Sequence, residues 1–205
     1  MTPTHTYPPV WLLDIDGVVN ATRPGWSCAP WTTTVAIPGR ELRLRWAPQL
    51  IDTIRTLSIS ALAEVRWCSS WGSQASIVQD AMRLPPLGNA LPGIPIGQTV
   101  QHAKLQAARD VLRQGRRLIW TDDEVVPAPG AAAYRLLHVP GRTLLIRPTP
   151  RKGLLPEHAL MIIKFCQDDQ RPPGPSMPRS LSSCVPGTEP QQPRATAAGE
   201  HDILE

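Results

Sequence analysis

Long apolar runs are missing from this 205-residue chain, and so are several other features that would fix its class early. A transmembrane helix needs about 20 consecutive apolar residues. The runs present, such as Val10–Leu13 and Leu144–Ile146, stop far short of that. No Lys or Arg precedes Arg23, and Asp14 and Asp16 interrupt the only early apolar run, so no secretory signal is expected. The four cysteines, Cys28, Cys68, Cys166 and Cys184, are scattered without a Cys-x-x-Cys pair or a histidine at zinc-ligand spacing. Neither a disulfide framework nor a zinc site is supported. There is no Gly-X-Y or heptad period, and no block of five or more like charges. A soluble intracellular protein, cytoplasmic and free of the membrane, is the expectation.

What is present is unevenly spread. Seven tryptophans accompany a single phenylalanine, and eighteen arginines stand against three lysines. Residues 1–167 hold 18 basic and 11 acidic groups, a net +7, whereas residues 168–205 hold 3 and 6, a net −3. A basic body suits anionic substrates, nucleic acid included, but a diffuse excess also describes a solvated arginine-rich surface. From Arg171 to Gly199 the chain is Pro, Ser, Gly, Thr and Ala with almost no large apolar residue. Such a stretch cannot bury enough surface to offset its chain entropy. The expected organisation is a flexible N-terminus at 1–7, one domain at 8–167 and a disordered tail at 168–205.

Within 8–167 the pattern alternates between strand and helix. Val10–Asp14 reads as a buried strand. Thr32–Ile37 and Glu41–Trp46, separated by Pro38-Gly39-Arg40, read as a hairpin. Pro48 opens a helix with Leu50, Ile51, Ile54 and Leu57 on one face. Glu64–Cys68 is a second buried strand, and Ser73 is placed to cap the helix that follows. A short strand is expected at Ile94–Ile96. Thr99 caps a further helix with Val100, Ala103, Ala107, Val111 and Leu112 inward and Gly115 as its stop. Leu118–Thr121 and Leu144–Ile146 are strands, and Pro156–Gln167 is the last helix. This alternation predicts an α/β fold, a parallel sheet with helices on both faces. Trp11, Trp67 and Trp120 recur near the strand ends and are assigned to core packing.

In open α/β sheets ligands sit beyond the carboxyl ends of the strands. Those ends are acidic here. The first runs into Asp14-Ile15-Asp16-Gly17-Val18, the second into Ser69-Ser70-Trp71-Gly72, and a later one into Asp122-Asp123-Glu124. Clustered carboxylates repel unless a cation compensates them, and hard oxygen ligands suit Mg²⁺.

Asp14-Ile15-Asp16-Gly17-Val18 resembles the Asp-x-Asp-Gly-(Thr/Val) signature of the haloacid dehalogenase superfamily of phosphohydrolases. Ser69 resembles that family's second motif, Lys104 on its helix the third, and Asp122-Asp123 the fourth, in the family's order over roughly 10–166. The resemblance implies the superfamily's Rossmann-like fold and a Mg²⁺-dependent phosphatase. It makes Asp14 the nucleophile that carries an aspartyl-phosphate and Asp16 the general acid and base. Ser69, with Ser70 adjacent, would bind the phosphoryl oxygens, and Lys104, or else Lys152, would neutralise the remaining charge. The metal ligands it implies are Asp14, the backbone carbonyl of Asp16, and Asp122, Asp123 or both. In the family's carbon–halogen hydrolases the position of Asp16 is not Asp, which favours phosphoryl transfer. The segment after Asp16 holds only the hairpin at 32–46, so a small member is expected, with a hairpin flap in place of a cap domain. Arg23, Arg40, Arg43 and Arg45 lie on or near that hairpin and face an anionic substrate in this reading. The substrate is a phosphorylated metabolite, a nucleotide or a nucleic-acid end. The alternative is a binding module of the same fold with little turnover, using its basic body and proline-rich tail.

Overall fold

The computed structural model describes residues 7–168 other than 95. The expected tail and N-terminus therefore lie outside the described residues, apart from Asp168 and Tyr7 at their borders.

Among the described residues seven strands and five helices follow one another. β1 (Val10–Leu13) leads through the hairpin strands β2 (Trp31–Ile37) and β3 (Arg40–Trp46) to α1 (Pro48–Ile59). β4 (Glu64–Trp67), α2 (Ala75–Ala81), β5 (Gly88–Asn89) and α3 (Val100–Arg113) come next. β6 (Leu118–Thr121), α4 (Ala132–Leu137), β7 (Thr143–Ile146) and α5 (Pro156–Asp168) complete the domain. Five strands form one parallel sheet in the order β5-β4-β1-β6-β7, and β2 pairs only with β3, antiparallel.

β1 and β6 carry large apolar residues on both faces because both faces are covered, whereas β4, expected as a buried strand, alternates half-buried Glu64 and Arg66 with buried Val65 and Trp67. Every residue of β1 and of β6 is buried. Trp11, Leu13, Val65, Trp67 and Ile119 pack on one side with the buried stripes of α1, α2 and α5. Val10, Leu12, Leu118 and Trp120 pack on the other with α3 and Leu137 of α4. Trp11, Trp67 and Trp120 are core residues, as expected, each exposing 2% or less. At roughly 25 cal/mol per Å² of apolar surface and about 150–250 Å² per aromatic side chain, each contributes roughly 4–6 kcal/mol of burial. Trp11 also donates its indole N–H to Thr121 Oγ1 at 3.0 Å, tying β1 to β6.

Two local expectations are corrected and a third is extended. Ile94 and Ile96 lie in no strand; both are exposed, and the sheet edge is β5, only two residues long. Prolines at 92 and 95 have no N–H to give to a ladder, whereas Gly88 and Asn89 meet Arg66 and Trp67 in register. Ser73 does not cap α2. It sits inside a 3₁₀ turn, Gly72–Gln74, that runs directly into the helix, and Gln74 takes the cap position without a side-chain bond. On α3 the fully buried stripe is Ala103, Lys104, Ala108 and Val111, with Ala107 and Leu112 packing against it part-buried; Ala108 joins the expected core face, and a lysine lies among apolar residues. Thr99 does cap that helix, its hydroxyl accepting from His102 N at 3.2 Å, and Gly115 leaves it with φ +75°. The six-residue α4 carries no apolar period long enough to be read from sequence.

The strand order places the functional ends. β1 connects outward toward β4, and β6 connects the opposite way toward β7, so β1 and β6 are neighbours whose chains diverge. At such a switch point the loops leave the carboxyl ends in opposite directions and open a crevice. Among the described residues no helix is long and apolar enough to cross a membrane.

Candidate functional site

Asp14 leaves β1 at that crevice, and its position is set by backbone bonds on both sides. Its N–H donates to Thr121 O at 3.1 Å, and its carboxylate oxygen Oδ1 accepts the Ile15 N–H at 2.7 Å. Asp122 leaves β6 in the same plane, its own N–H held by Ile146 O at 3.3 Å. Its Oδ1 accepts from the N–H groups of Glu124 and Val125 at 2.9 and 2.6 Å, which folds the loop around the carboxylate. The other oxygens of the two acids, Asp14 Oδ2 and Asp122 Oδ2, both accept from Lys104 Nζ, the latter at 2.7 Å. All three side chains are buried.

Asp123 completes the group. Carboxylate oxygens of Asp14, Asp122 and Asp123 lie within 4.8 Å of one another. Gly17 makes this approach possible. Its φ is +70°, and a Cβ there would stand 2.2 Å from Asp123 Oδ2, so a side chain would occupy the place of the carboxylate. Arg147 Nε donates to the Asp123 carbonyl at 2.9 Å and fixes the backbone from the far side.

Charge buried in this way is costly, and the acids respond. Burial pushes Asp14 up from 3.8 to about 7, with Asp122 adding to the rise and Lys104 and Ser69 opposing it. Asp123 is also raised, by burial first and then by the charges of Asp122 and Glu124, against its own backbone hydrogen bond and Lys104. Lys104 is raised in spite of burial, because two carboxylates hold its proton. Metal-free, one ammonium thus serves three acids. The trio has room for a further cation.

Ser69 follows β4 and is buried beside this group. Its hydroxyl meets no partner within hydrogen-bonding geometry, although it lies near enough to Asp14 to favour the charged carboxylate. The indole N–H groups of Trp46, Trp67 and Trp120 are likewise buried without an acceptor, but the Ser69 hydroxyl alone of these stands beside Asp14, where a ligand atom can meet it. Ser70 is exposed and lines the same cleft of about 420 Å³ as Asp14, Asp16, Lys104 and Asp123.

Asp16 is placed differently from the other acids. It is exposed, and its carboxylate is gripped at both oxygens: Asn20 Nδ2 donates to Oδ1 at 2.7 Å and Trp71 Nε1 to Oδ2 at 2.8 Å. Asn20 in turn accepts the Arg45 N–H at 2.8 Å, and Ala21 N donates to Arg45 O at 2.9 Å. The hairpin is therefore stitched to the loop that carries Asp16. Trp71 thus has a polar role that the sequence did not reveal, although it stands directly after Ser69-Ser70. Asn20 organises this loop through both ends of its amide, the nitrogen donating to Asp16 and the oxygen accepting from Arg45.

Of the sequence-derived candidates, Asp14, Ser69, Lys104, Asp122 and Asp123 converge, and Asp16 and Ser70 border them. Lys152 lies exposed on the turn at 149–153. Lys104 is the lysine bonded to Asp14. Glu124 is exposed and contributes its backbone N–H to Asp122. The sequence matches no protein-family model and no curated protein at a significant level.

Proposed function

We propose that this chain is a Mg²⁺-dependent phosphohydrolase of the haloacid dehalogenase type, working through an aspartyl-phosphate on Asp14, with the β2–β3 hairpin as a small flap beside an open site. The carrying observation is the carboxylate trio of Asp14, Asp122 and Asp123, spanned by Lys104 at the switch point of a parallel sheet. The order of motifs along the sequence supports the same reading.

The donor set fits the metal. Three carboxylates supply hard oxygens, as Mg²⁺ requires, and no thiolate or imidazole stands among them. Asp14, Asp122 and Asp123 would hold it, with the Asp16 carbonyl as a further oxygen. Bound there, it neutralises charge on the transferring phosphoryl group.

The chain's own residues do the rest. Asp14 attacks phosphorus through a carboxylate oxygen, and the bond from phosphorus to the ester oxygen breaks. Asp16 gives a proton to the departing oxygen, so the alcohol leaves neutral. Water then attacks the aspartyl-phosphate, Asp16 takes its proton, and Asp14 is regenerated with release of inorganic phosphate. Asn20 and Trp71, each donating to one oxygen, hold the Asp16 carboxyl in one orientation between these two transfers. Ser69 donates its free hydroxyl to a phosphoryl oxygen, and Lys104 neutralises another. Asp14 can attack only as the carboxylate, so a cation that lowers its raised pKa also prepares the nucleophile.

Hydrolysis of p-nitrophenyl phosphate tests this. Turnover is expected with Mg²⁺ and not with EDTA, and Asp14→Asn should abolish it. Absence of turnover in the intact chain at any Mg²⁺ concentration, toward this ester and a panel of phosphorylated metabolites, would favour the binding-module alternative.

A further inference from the structure

The clefts around Asp16 differ in sign. The one containing Asp14, Lys104 and Asp123 also holds Glu124 and is acidic. Two more open on the hairpin side, of about 390 and 280 Å³, and Asp16, Asn20 and Arg43 line both. Arg45 completes the basic lining of the first and Arg40 that of the second. Asp16 is the only carboxylate lining either, and both of its oxygens are already occupied by Asn20 and Trp71.

Glu41 lies next to Arg40 and on the strand face of Arg43, yet it pairs with neither among the described residues. Arg40, Arg43 and Arg45 form no ion pair among the described residues, whereas Arg55, Arg66, Arg113 and Arg116 each have a carboxylate partner. Arg45 donates one guanidinium nitrogen to Thr22 O at 3.2 Å, and its Nε is buried with no acceptor. Strand alternation explains the arrangement. Leu42, Leu44 and Trp46 point to the core from β3, so Arg43 and Arg45 point away from it together with Glu41, on the same face and about 7 Å apart along the strand. Arg40, of the opposite parity, stands exposed at the turn end of β3 and lines the second cleft. The bonds from Asn20 and Ala21 to the backbone of Arg45 hold β3 against the Asp16 loop. Guanidinium groups without a carboxylate partner beside an open cleft are stabilised by a multivalent oxyanion, which a planar fork can bind with two hydrogen bonds.

We propose that Arg40, Arg43 and Arg45, which line the two adjoining hairpin clefts, form a second anion subsite and that the substrate is a phosphomonoester carrying a second phosphate group. This rests on the phosphatase reading for the reacting phosphate, which takes the acidic cleft, while the second phosphate takes the arginine subsite. Asp16, common to all three clefts, stands at the junction, beside the ester oxygen that it protonates. The shared chemistry is a pair of phosphates on one small molecule; the second is a terminal dianion in a bisphosphate and a diester in a nucleic-acid end.

Calorimetric binding to the full-length Asp14→Asn protein in Mg²⁺ tests the subsite without turnover. The probes are adenosine 5′-monophosphate, adenosine 3′,5′-bisphosphate and the 5′-phosphorylated dinucleotide pApA. At least one doubly phosphorylated probe should bind tenfold or more tighter than the monophosphate, with an affinity that falls steeply as salt rises. Arg43→Gln, and separately Arg40→Gln, should cut that preference by tenfold or more, and Arg43→Lys should restore part of it. Whichever probe gains more identifies the second group as dianion or diester. Equal binding of all three probes, or a preference untouched by both glutamine variants, overturns the subsite. Turnover of p-nitrophenyl phosphate by the wild type is read separately: the phosphatase reading can fail there while the arginine-dependent preference stands, and the reverse.

Discussion

Replacing Asp14 by Asn should stabilise the metal-free protein at alkaline pH, although it removes one partner of a buried ion pair. Burial raises Asp14 from 3.8 to about 7 even with Lys104 beside it. The native state therefore holds this proton more tightly than the unfolded chain, and stability falls as pH rises from 3.8 through about 7, then levels off. At about 1.4 kcal/mol per pH unit, the ionised carboxylate costs the metal-free fold up to about 4 kcal/mol above pH 7. Asn copies the neutral acid in shape, and Lys104 keeps Asp122 as a partner at 2.7 Å. For a domain of this size, about 2–4 °C per kcal/mol makes the expected gain in Tm on the order of 10 °C at pH 8. The assay is thermal melting of both proteins in EDTA from pH 5 to 8.5, read as a difference so that groups common to both cancel. Wild type should lose ground steadily to the variant as pH rises. Mg²⁺ at pH 8 should then raise the wild type far more than the variant, because ligand binding to the native state adds to its stability. Parallel melting across the whole range, or a variant less stable at pH 8, would refute the account of Asp14 as a strained, cation-seeking carboxylate.

Three other expectations are more local. Gly17→Ala should cost about 1–3 kcal/mol of stability from the positive φ alone, and by displacing Asp123 it should also weaken Mg²⁺-dependent stabilisation; a normal metal response would show that Asp123 is not a ligand. Ser69→Ala should melt at or above the wild-type temperature, since it removes a buried hydroxyl that the protein leaves unpartnered, yet lower phosphatase kcat by about 10²–10³ if that hydroxyl serves the transition state. Glu64 accepts from Arg66 Nε at 2.7 Å and from Arg116, which hold its carboxyl below the usual range against its partial burial. Its contribution is present above pH 4.5 and lost as pH falls through the depressed folded value, so Glu64→Gln should destabilise by no more than about 1 kcal/mol at pH 7 and converge with wild type near pH 3 in urea titrations.

The elements whose geometry follows from local chemistry were legible in the sequence. β1 and β6 announce themselves as short apolar runs closed by polar residues, and β4 alternates Glu64-Val65-Arg66-Trp67 with only Val65 and Trp67 fully buried. α1 carries Leu50, Ile51, Ile54 and Leu57 at helical spacing, all four buried as the spacing requires. The hairpin follows from alternation about Pro38-Gly39, and Thr99 and Gly115 mark the two ends of α3 by their capping chemistry. The acidic strand ends were visible for the same reason: a run of apolar residues positions whatever follows it at the edge of the sheet. Where the local signal is short or mixed, reading failed. β5 has two residues, α4 has six, and Ser73 was taken for a cap because a 3₁₀ turn and a helix start look alike in sequence.

Tertiary structure alone decided which of these residues meet. Asp14 and Asp122 are 108 positions apart, and only the β1–β6 pairing puts their carboxylates on one ammonium. The sequence left Lys104 and Lys152 as alternatives; the choice came from the rotation of α3, which turns Lys104 into its buried stripe, where a hydrophobic count had no reason to place a charge. The bond from Trp71 to Asp16, and the stitching of Arg45 to the same loop, likewise depend on how the hairpin packs. Local sequence specifies the conformation of a segment through its dihedral and burial preferences. Charge compensation and side-chain partnership are relations between distant segments, and they exist only once the sheet has brought those segments together.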